Sequence, residues 1–325
     1  MADEPDYSEL LDKQTQQFVE QTEKWYPPNT AEFSIERQRK IYDAMCREFH
    51  HEYPKGVSAT DATIPSAEVD IPVRRYSSDQ NNAATRIIYF HGGGFVVGGL
   101  QSHDSVCAEL CARTGCAVTS VDYRLAPEHL HPAAFNDSLA AVLYECKTFE
   151  QSAVLCGDSA GGTLAASISH TLRDNPQQDV CIKGQVLIYP LLDSLPSEGN
   201  EYTGSTITHA NAPMLSTRDV EFYATIRAGR KPVENIVTLL PLKDTRFTGL
   251  PNTVVFSAEC DPLCDDGQNY YNAITSVGGV AQLFIERGLV HGYIRARHSV
   301  DRARESFDRI VLSLVQLTRD EVQVN

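Results

Sequence analysis

The stretch Gly157-Asp158-Ser159-Ala160-Gly161-Gly162 decides the fold of this 325-residue chain. It contains the pattern G-x-S-x-G, follows the short apolar run Ala153–Cys156 and precedes the helical stretch Thr163–Arg173. A serine on a sharp turn between a strand and a helix projects its hydroxyl away from the backbone, and flanking glycines allow that turn to be tight. Free amides at the helix N-terminus can also stabilise nearby negative charge. The pattern therefore predicts that Ser159 is a nucleophile.

Similar apolar runs recur along the chain, and helical segments follow them. The runs are Arg86–Phe90, Cys116–Val121, Ala153–Cys156, Gln185–Tyr189, Thr253–Ser257 and Ala281–Ile285, and an alternating stretch over Glu68–Tyr76 precedes them. Strands that are apolar throughout are buried on both faces, as in a parallel sheet covered by helices. The sequence thus predicts an α/β protein with a mostly parallel central sheet in a three-layer sandwich.

Two further regions predict a helical cap beside this sandwich. Amphipathic patterns over residues 6–25 and 34–50 are separated by Pro27-Pro28-Asn29, which breaks helices. The interval between Tyr189 and Thr253 is much longer than a crossover requires and contains a helical stretch near Thr217–Arg227. We therefore expect N-terminal cap helices in residues 1–55, and a catalytic domain over 56–325 with a cap insertion at about 194–245.

A glycine-rich loop, His91-Gly92-Gly93-Gly94-Phe95, follows the predicted strand Arg86–Phe90. Glycines let backbone amides approach a substrate closely, and such amides form oxyanion holes. We expect the amides of Gly93, Gly94 and Ala160 to bind an oxyanion, with Gly92 shaping the loop. A phosphate-binding loop is a weaker interpretation because no Gly-Lys-Ser/Thr follows.

The acid that would orient a catalytic histidine is expected immediately after the run Thr253–Ser257. Asp261 is the preferred candidate, while Glu259, Asp265 and Asp266 stay open as alternatives. Asp265 and Asp266 fall where the first turn of the next helix should begin, and acids there commonly complement the helix dipole.

His291 is the candidate base among ten histidines. It stands in Val290-His291-Gly292-Tyr293, a loop between the last predicted strand and a long C-terminal helix over about Ala296–Leu317. His91 is expected to have a structural role beside the glycine loop. The order Ser159, Asp261, His291 differs from the triad orders of the chymotrypsin and subtilisin folds and suits a sheet of the predicted type.

Composition excludes several classes of partner. The formal net charge of −15 disfavours binding to nucleic acid and to anionic membranes, and it favours a neutral or cationic substrate. The acidic N-terminus and the lack of a long apolar run predict a cytoplasmic protein without a membrane span. Nine cysteines without metal-ligand spacing indicate reduced thiols, and no metal or organic cofactor is implied.

Several of these motifs together resemble the hormone-sensitive-lipase-like, or HGGG, family of α/β-hydrolase esterases. They are His91–Phe95, Tyr123–Glu128, Gly157–Gly162, Asp261–Leu263 and His291-Gly292. The resemblance covers residues from about 85 to the C-terminus, is nearest to bacterial acetyl-esterase-type carboxylesterases, and implies an α/β-hydrolase fold with a helical cap. One departure is His131, where similar sequences carry an aromatic residue before the proline.

The expected function is hydrolysis of small, neutral, short-chain esters through an acyl-enzyme. Residues expected to meet the substrate are Phe95, Val96, Val97, Tyr189, Met214 and Phe222. A homodimer through an edge strand near Ala281–Ile285 is a further expectation, from analogy with similar esterases. The alternatives are an amidase, a peptidase, a lipase, or a ligand receptor of the kind found in this family without the catalytic histidine.

Overall fold

The computed structural model describes residues 5–79, 84–193, 204–229 and 237–319, which form one eight-stranded sheet with helices on both faces. The strands are β1 (Val57–Ile64), β2 (Ile71–Ser78), β3 (Thr85–Phe90), β4 (Val118–Val121), β5 (Ser152–Asp158), β6 (Ile182–Ile188), β7 (Asn252–Cys260) and β8 (Ala281–Val290). Their order is β1-β2-β4-β3-β5-β6-β7-β8. Pairing is antiparallel from β1 to β2 and from β2 to β4, and parallel elsewhere.

This architecture confirms the predicted fold class, and each of the six apolar runs coincides with part or all of a strand. The sequence analysis missed β1 because polar residues interrupt Val57–Ile64, which has four exposed residues and a single buried one at Ile64. An edge strand that packs little against the core carries no apolar run to reveal it. β8 is the opposite edge of the sheet, as expected, while the homodimer through it stays a prediction.

Helices of more than four residues number eight in the described part of the chain, and two shorter helices accompany them. The helices are α1 (Tyr7–Leu10), α2 (Lys13–Trp25), α3 (Ile35–Glu48), α4 (Asp104–Thr114), α5 (Ala133–Phe149), α6 (Ala160–Asp174), α7 (Ser205–Thr208), α8 (Thr217–Ala228), α9 (Cys264–Ser276) and α10 (Asp301–Thr318). The last helix begins five residues later than expected because Tyr293–Ala296 forms a separate 3₁₀ turn.

The core lies in two layers, one on each side of the sheet. Alternate residues of β3 face opposite layers, since Ile87 and Tyr89 pack with α4 and α10 while Ile88 and Phe90 pack with α5, α6 and α9. Both faces of the strand are fully buried, so its apolar run follows from its central position.

The division into a cap and a catalytic domain stays a prediction. Helices α2 and α3 pack on one another, and α2 also packs on β8. The predicted insertion at about 194–245 lies partly outside the described residues. Its described part contains α7 and α8, and α8 begins at a capping box formed by Ser216 and Asp219. Within the described ranges, no helix combines the length and apolar character that crossing a membrane would require.

His131 gives the fold a testable dependence on pH. Burial, with a smaller contribution from the charge of Arg227, lowers the pKa of His131 to about 4, whereas an unfolded histidine titrates near about 6.5. Between these values the unfolded chain binds more protons, so this contribution to stability is present above pH 6.5 and is lost as the pH falls through 4. His131→Phe should reduce the pH slope of the unfolding free energy in that window by about one proton.

Urea unfolding of wild type and His131→Phe between pH 4.5 and 7.5 measures this slope. His129→Phe, at an exposed neighbouring position, is the matched control. Parallel pH profiles for wild type and His131→Phe would show that His131 is not buried as described.

Candidate active site

Ser159 lies on a strained turn between β5 and α6. Its backbone has φ 53° and ψ −119°, a conformation that few residues other than glycine adopt. Its amide donates a 2.8 Å hydrogen bond to the carbonyl of Ile188 on the neighbouring strand β6. A Cβ at Gly161 would stand 1.9 Å from the carbonyl oxygen of Phe90, so this position has no room for a side chain. The turn therefore presses closely on the end of β3.

The structure brings Ser159, His291 and Asp261 together in hydrogen-bond contact. The Nε2 atom of His291 lies 2.9 Å from the hydroxyl of Ser159, and its Nδ1 atom lies 2.7 Å from a carboxylate oxygen of Asp261. Because a carboxylate only accepts, this geometry assigns the imidazole proton to Nδ1 and leaves Nε2 as the acceptor for the hydroxyl. Asp261 is fully buried and also accepts the amide of Leu263 at 2.9 Å.

The three alternative acids bind other groups. Asp266 accepts the amides of Leu192 and Asp193, and Asp265 accepts the amide of Ser205. Both lie in the first turn of α9, where acids complement the helix dipole. Glu259 pairs with Arg287 and accepts the amide of Gly288. Among these acids, Asp261 alone contacts His291 in the described structure.

The glycine loop starts where β3 ends and passes beside Ser159. Gly93 and Gly94 have φ values of 124° and 60°, which are accessible to glycine at little cost. Gly93, Gly94 and Ala160 all line the same cavity as Ser159, whereas Gly92 is not among its lining residues. His91 is buried and stacks on the ring of Tyr123 at 4.2 Å, and the Tyr123 hydroxyl donates to the His91 carbonyl. This packing holds the start of the loop.

Asp158, the residue before Ser159, joins the loop to the turn. Its carboxylate accepts the amide of Gly92 at 2.9 Å and the hydroxyl of Tyr89 at 2.8 Å, and Nε2 of His103 lies 3.2 Å away. Burial raises the pKa of Asp158, but His103, Arg295 and Tyr89 outweigh burial and hold that pKa well below its usual value. A buried carboxylate therefore stays ionised and orients the first amide of the loop.

A cavity of about 840 Å³ opens onto this site. Five of the six residues expected to meet the substrate line it: Phe95, Val97, Tyr189, Met214 and Phe222. Val96 is not among the lining residues, because its side chain is fully buried in the core and its carbonyl accepts a hydrogen bond from Arg39. Residues of α2, α3 and α8 complete the walls, so the segments expected to form a cap meet at the cavity.

Sequence reasoning missed several residues of the cavity. Tyr26 and Tyr223 join the end of α2 to α8 through hydroxyls 2.7 Å apart, and the ring of Tyr223 stands 2.6 Å from where a Cβ at Gly94 would be. Arg227 stacks over the ring of Phe95 at 3.6 Å. These contacts join residues far apart in the sequence and follow no local motif. The sequence analysis also assigned no role to Asp158, although the G-x-S-x-G motif places it directly before Ser159.

Known proteins resemble this chain in both sequence and structure. A family model described as alpha/beta hydrolase fold matches residues 87–295. The carboxylesterase NlhH of Mycobacterium tuberculosis is 34% identical over 257 residues, covering 75% of this chain and 78% of the relative. Ethyl acetate hydrolase of Pseudomonas putida is 31% identical over 260 residues, covering 76% and 78%.

A solved structure of a hyperthermophilic esterase from Pyrobaculum calidifontis superposes with a TM-score of 0.84 at 27% identity. The match covers 94% of this chain and 98% of that one. The motifs, the sheet and these relatives lead to one conclusion: the chain belongs to the α/β-hydrolase fold family and, within it, to the hormone-sensitive-lipase-like carboxylesterases.

Proposed function

We propose that this carboxylesterase hydrolyses small, short-chain esters through an acyl-enzyme on Ser159. The observation that carries the proposal is the hydrogen-bonded line from Ser159 through His291 to the buried carboxylate of Asp261. A serine hydroxyl is a weak nucleophile at neutral pH, and an adjacent general base held by a third group activates it. These contacts support His291 as that base and Asp261 as its orienting acid.

The proposed reaction has two steps. In the first, the Ser159 hydroxyl attacks the ester carbonyl while Nε2 of His291 takes its proton, and Asp261 stabilises the resulting imidazolium. The tetrahedral intermediate then expels the alcohol, which receives the proton from His291. In the second step, water attacks the acyl group with His291 again as base, which releases the carboxylic acid and restores Ser159.

The amides of Gly93, Gly94 and Ala160 are the proposed donors to the oxyanion of each intermediate. Removing one such donor typically lowers the rate by about 10²–10³. Their usefulness depends on their being fixed before the reaction, because a donor that must reorganise loses much of its effect. Asp158 supplies that fixation in our proposal, through its bond to the amide of Gly92.

The preference for short acyl chains rests on the family resemblance and on the similarity to an ethyl acetate hydrolase. The net charge of −15 repels anionic ligands at long range and therefore favours a neutral substrate over an anionic one. The cavity of about 840 Å³ can hold an alcohol group larger than the acyl group, so a short acyl chain does not require a small alcohol.

Ser159→Ala should abolish turnover of p-nitrophenyl esters, with a loss of about 10⁴-fold or more in kcat, because the nucleophile is removed. The wild-type rate, measured from acetate to palmitate, should peak at short chains. The matched control is Ser169→Ala on the same helix, whose buried hydroxyl has no hydrogen-bond partner among the described residues. Wild-type protein that is folded but inactive on every ester would contradict the proposal.

Covalent labelling of Ser159 by a fluorophosphonate separates an esterase from a ligand receptor.

Asp158→Asn should lower kcat by about 10- to 100-fold with little change in KM, since the neutral amide holds the glycine loop less firmly. Asp261→Asn is the comparison, with an expected loss of about 10⁴-fold because the wrong imidazole tautomer is stabilised. Steady-state kinetics with p-nitrophenyl acetate measure both. An Asp158→Asn enzyme with wild-type kcat would exclude any role for Asp158 in fixing the loop.

A further inference from the structure

Arg295 is a cation at the wall of the substrate cavity, four residues after His291. It lies in the 3₁₀ turn Tyr293–Ala296, is half-buried and lines the cavity with Ser159 and His291. Its Nη1 atom stands 2.6 Å from where a Cβ at Gly292 would be. The guanidinium therefore packs against the backbone of the residue that directly follows the proposed general base.

The guanidinium has no carboxylate partner in the described part of the chain. Its Nη2 atom donates to the hydroxyl of Tyr42, and its buried Nε atom has no hydrogen-bond partner. Burial raises the pKa of Tyr42 and the pKa of the Cys46 thiol, so these two neighbours are neutral at pH 7. A half-buried cation without an ion-pair partner has lost part of its hydration without gaining a directly bound anion in exchange.

The partners of Arg295 can be compared with those of two other arginines and with the nearby carboxylate of Asp158. Arg297, two residues further on, forms a 2.7 Å ion pair with Glu109. Arg227, the other arginine deep in the cavity wall, also has a buried Nε without a hydrogen-bond partner among the described residues, but it donates to the carbonyls of Thr238 and Leu239 and stacks on the ring of Phe95. Asp158 forms no ion pair with Arg295 in the described structure, since its carboxylate is bound to Gly92, Tyr89 and His103. Its charge nevertheless helps to hold the pKa of Arg295 high in spite of burial.

We propose that Arg295 and Tyr42 form a carboxylate-binding subsite, which extends the substrates of this esterase to esters that carry a free carboxylate. The inference rests on the proposed ester hydrolysis and adds a second recognised group. Arginine presents a planar fork of N–H donors that matches a carboxylate. The Tyr42 hydroxyl accepts from Arg295 and so keeps its own proton for donation to the same anion.

The negative charge of the whole chain does not prevent such binding. Four acids among the described residues line the cavity. Glu23 and Glu32 are exposed, where salt screens charges beyond about 8 Å at physiological ionic strength. The carboxylate of Asp219 accepts from Ser216, and that of Asp158 accepts from Gly92 and Tyr89. Arg295 lies inside, where screening is weak. A carboxylate thus meets mild repulsion on entry and a fixed cation beside His291.

The test compares a charged ester with a neutral ester of similar shape. The acyl-side pair is 4-nitrophenyl hemisuccinate and 4-nitrophenyl pentanoate, and the alcohol-side pair is 4-acetoxybenzoate and p-tolyl acetate. In each pair the ratio of kcat/KM is compared between wild type and Arg295→Met, so the intrinsic reactivity of each ester cancels. In at least one pair, the ratio of charged to neutral ester should be about 10- to 100-fold lower in Arg295→Met than in wild type. The change should lie mainly in KM, as for loss of a hydrogen bond to a charged group.

Two more variants separate charge from geometry. Arg295→Lys should retain part of the preference, because it keeps the charge and loses the fork. Arg304→Met, which removes a surface arginine paired with Asp301, is the control for net charge and should leave the ratios unchanged. Unchanged ratios in Arg295→Met for both pairs overturn the subsite. Equal losses on charged and neutral esters also overturn it, and would make Arg295 a residue that only positions the His291 segment.

Binding of the charged ester can be measured without turnover. Calorimetric titration of 4-acetoxybenzoate into Ser159→Ala, with and without Arg295→Met, should show affinity about 10-fold or more weaker in the double variant. Equal affinities would overturn the subsite. An absence of turnover on all four esters by wild type would instead count against the proposed esterase function, so the two failures are distinguishable.

Discussion

The close contact between the Ser159 turn and the end of β3 is the constraint on which the rest of the site depends. A Cβ at Gly161 would overlap the carbonyl of Phe90, so the first turn of α6 can approach β3 only because position 161 is glycine. The same approach sets the glycine loop, which begins one residue after Phe90, beside the serine hydroxyl. Parallel pairing of β3 with β5 fixes this neighbourhood, with Phe90 opposite Gly157. The proposed nucleophile and the proposed oxyanion donors therefore share one structural origin.

Two buried carboxylates stabilise this site from opposite sides. Asp261, at the end of β7, contacts His291 at the end of β8, while Asp158, at the end of β5, contacts the loop after β3. Each carboxylate joins two neighbouring strands at their carboxyl ends, where an open parallel sheet places its ligands. A buried carboxyl group needs hydrogen-bond partners, and both residues have more than one. The positions of the proposed base and of the glycine loop are thereby fixed by the sheet.

The sequence predicted the sheet, its central strands and the contact of three distant residues, because each of these follows from a local pattern. Buried strands leave apolar runs, and the G-x-S-x-G turn and the loop histidine occupy recognisable positions at strand ends. The polar strand β1 left no such run. The link from Tyr26 to Tyr223 and the position of Arg295 beside Tyr42 depend on tertiary packing across long stretches of chain, for which a single sequence has no periodic signal. Val96 illustrates the same limit, since adjacency to Phe95 and Val97 could not tell core from cavity wall.

Net charge and local charge give different information about the ligand. The net charge of −15 is a sum over the whole chain, and it affects solubility and the rate at which charged ligands approach the protein. Recognition is decided over a few ångströms in a region of low dielectric, where one guanidinium with free donors can outweigh many screened surface carboxylates. Of the acids that line this cavity, Glu23 and Glu32 are exposed, and the buried Asp158 is bound to donors of the protein, whereas Arg227 and Arg295 lie within the wall. An acidic chain can therefore contain a site that favours an anion, and the partners of each buried charge are a better guide to the substrate than the sum of all charges.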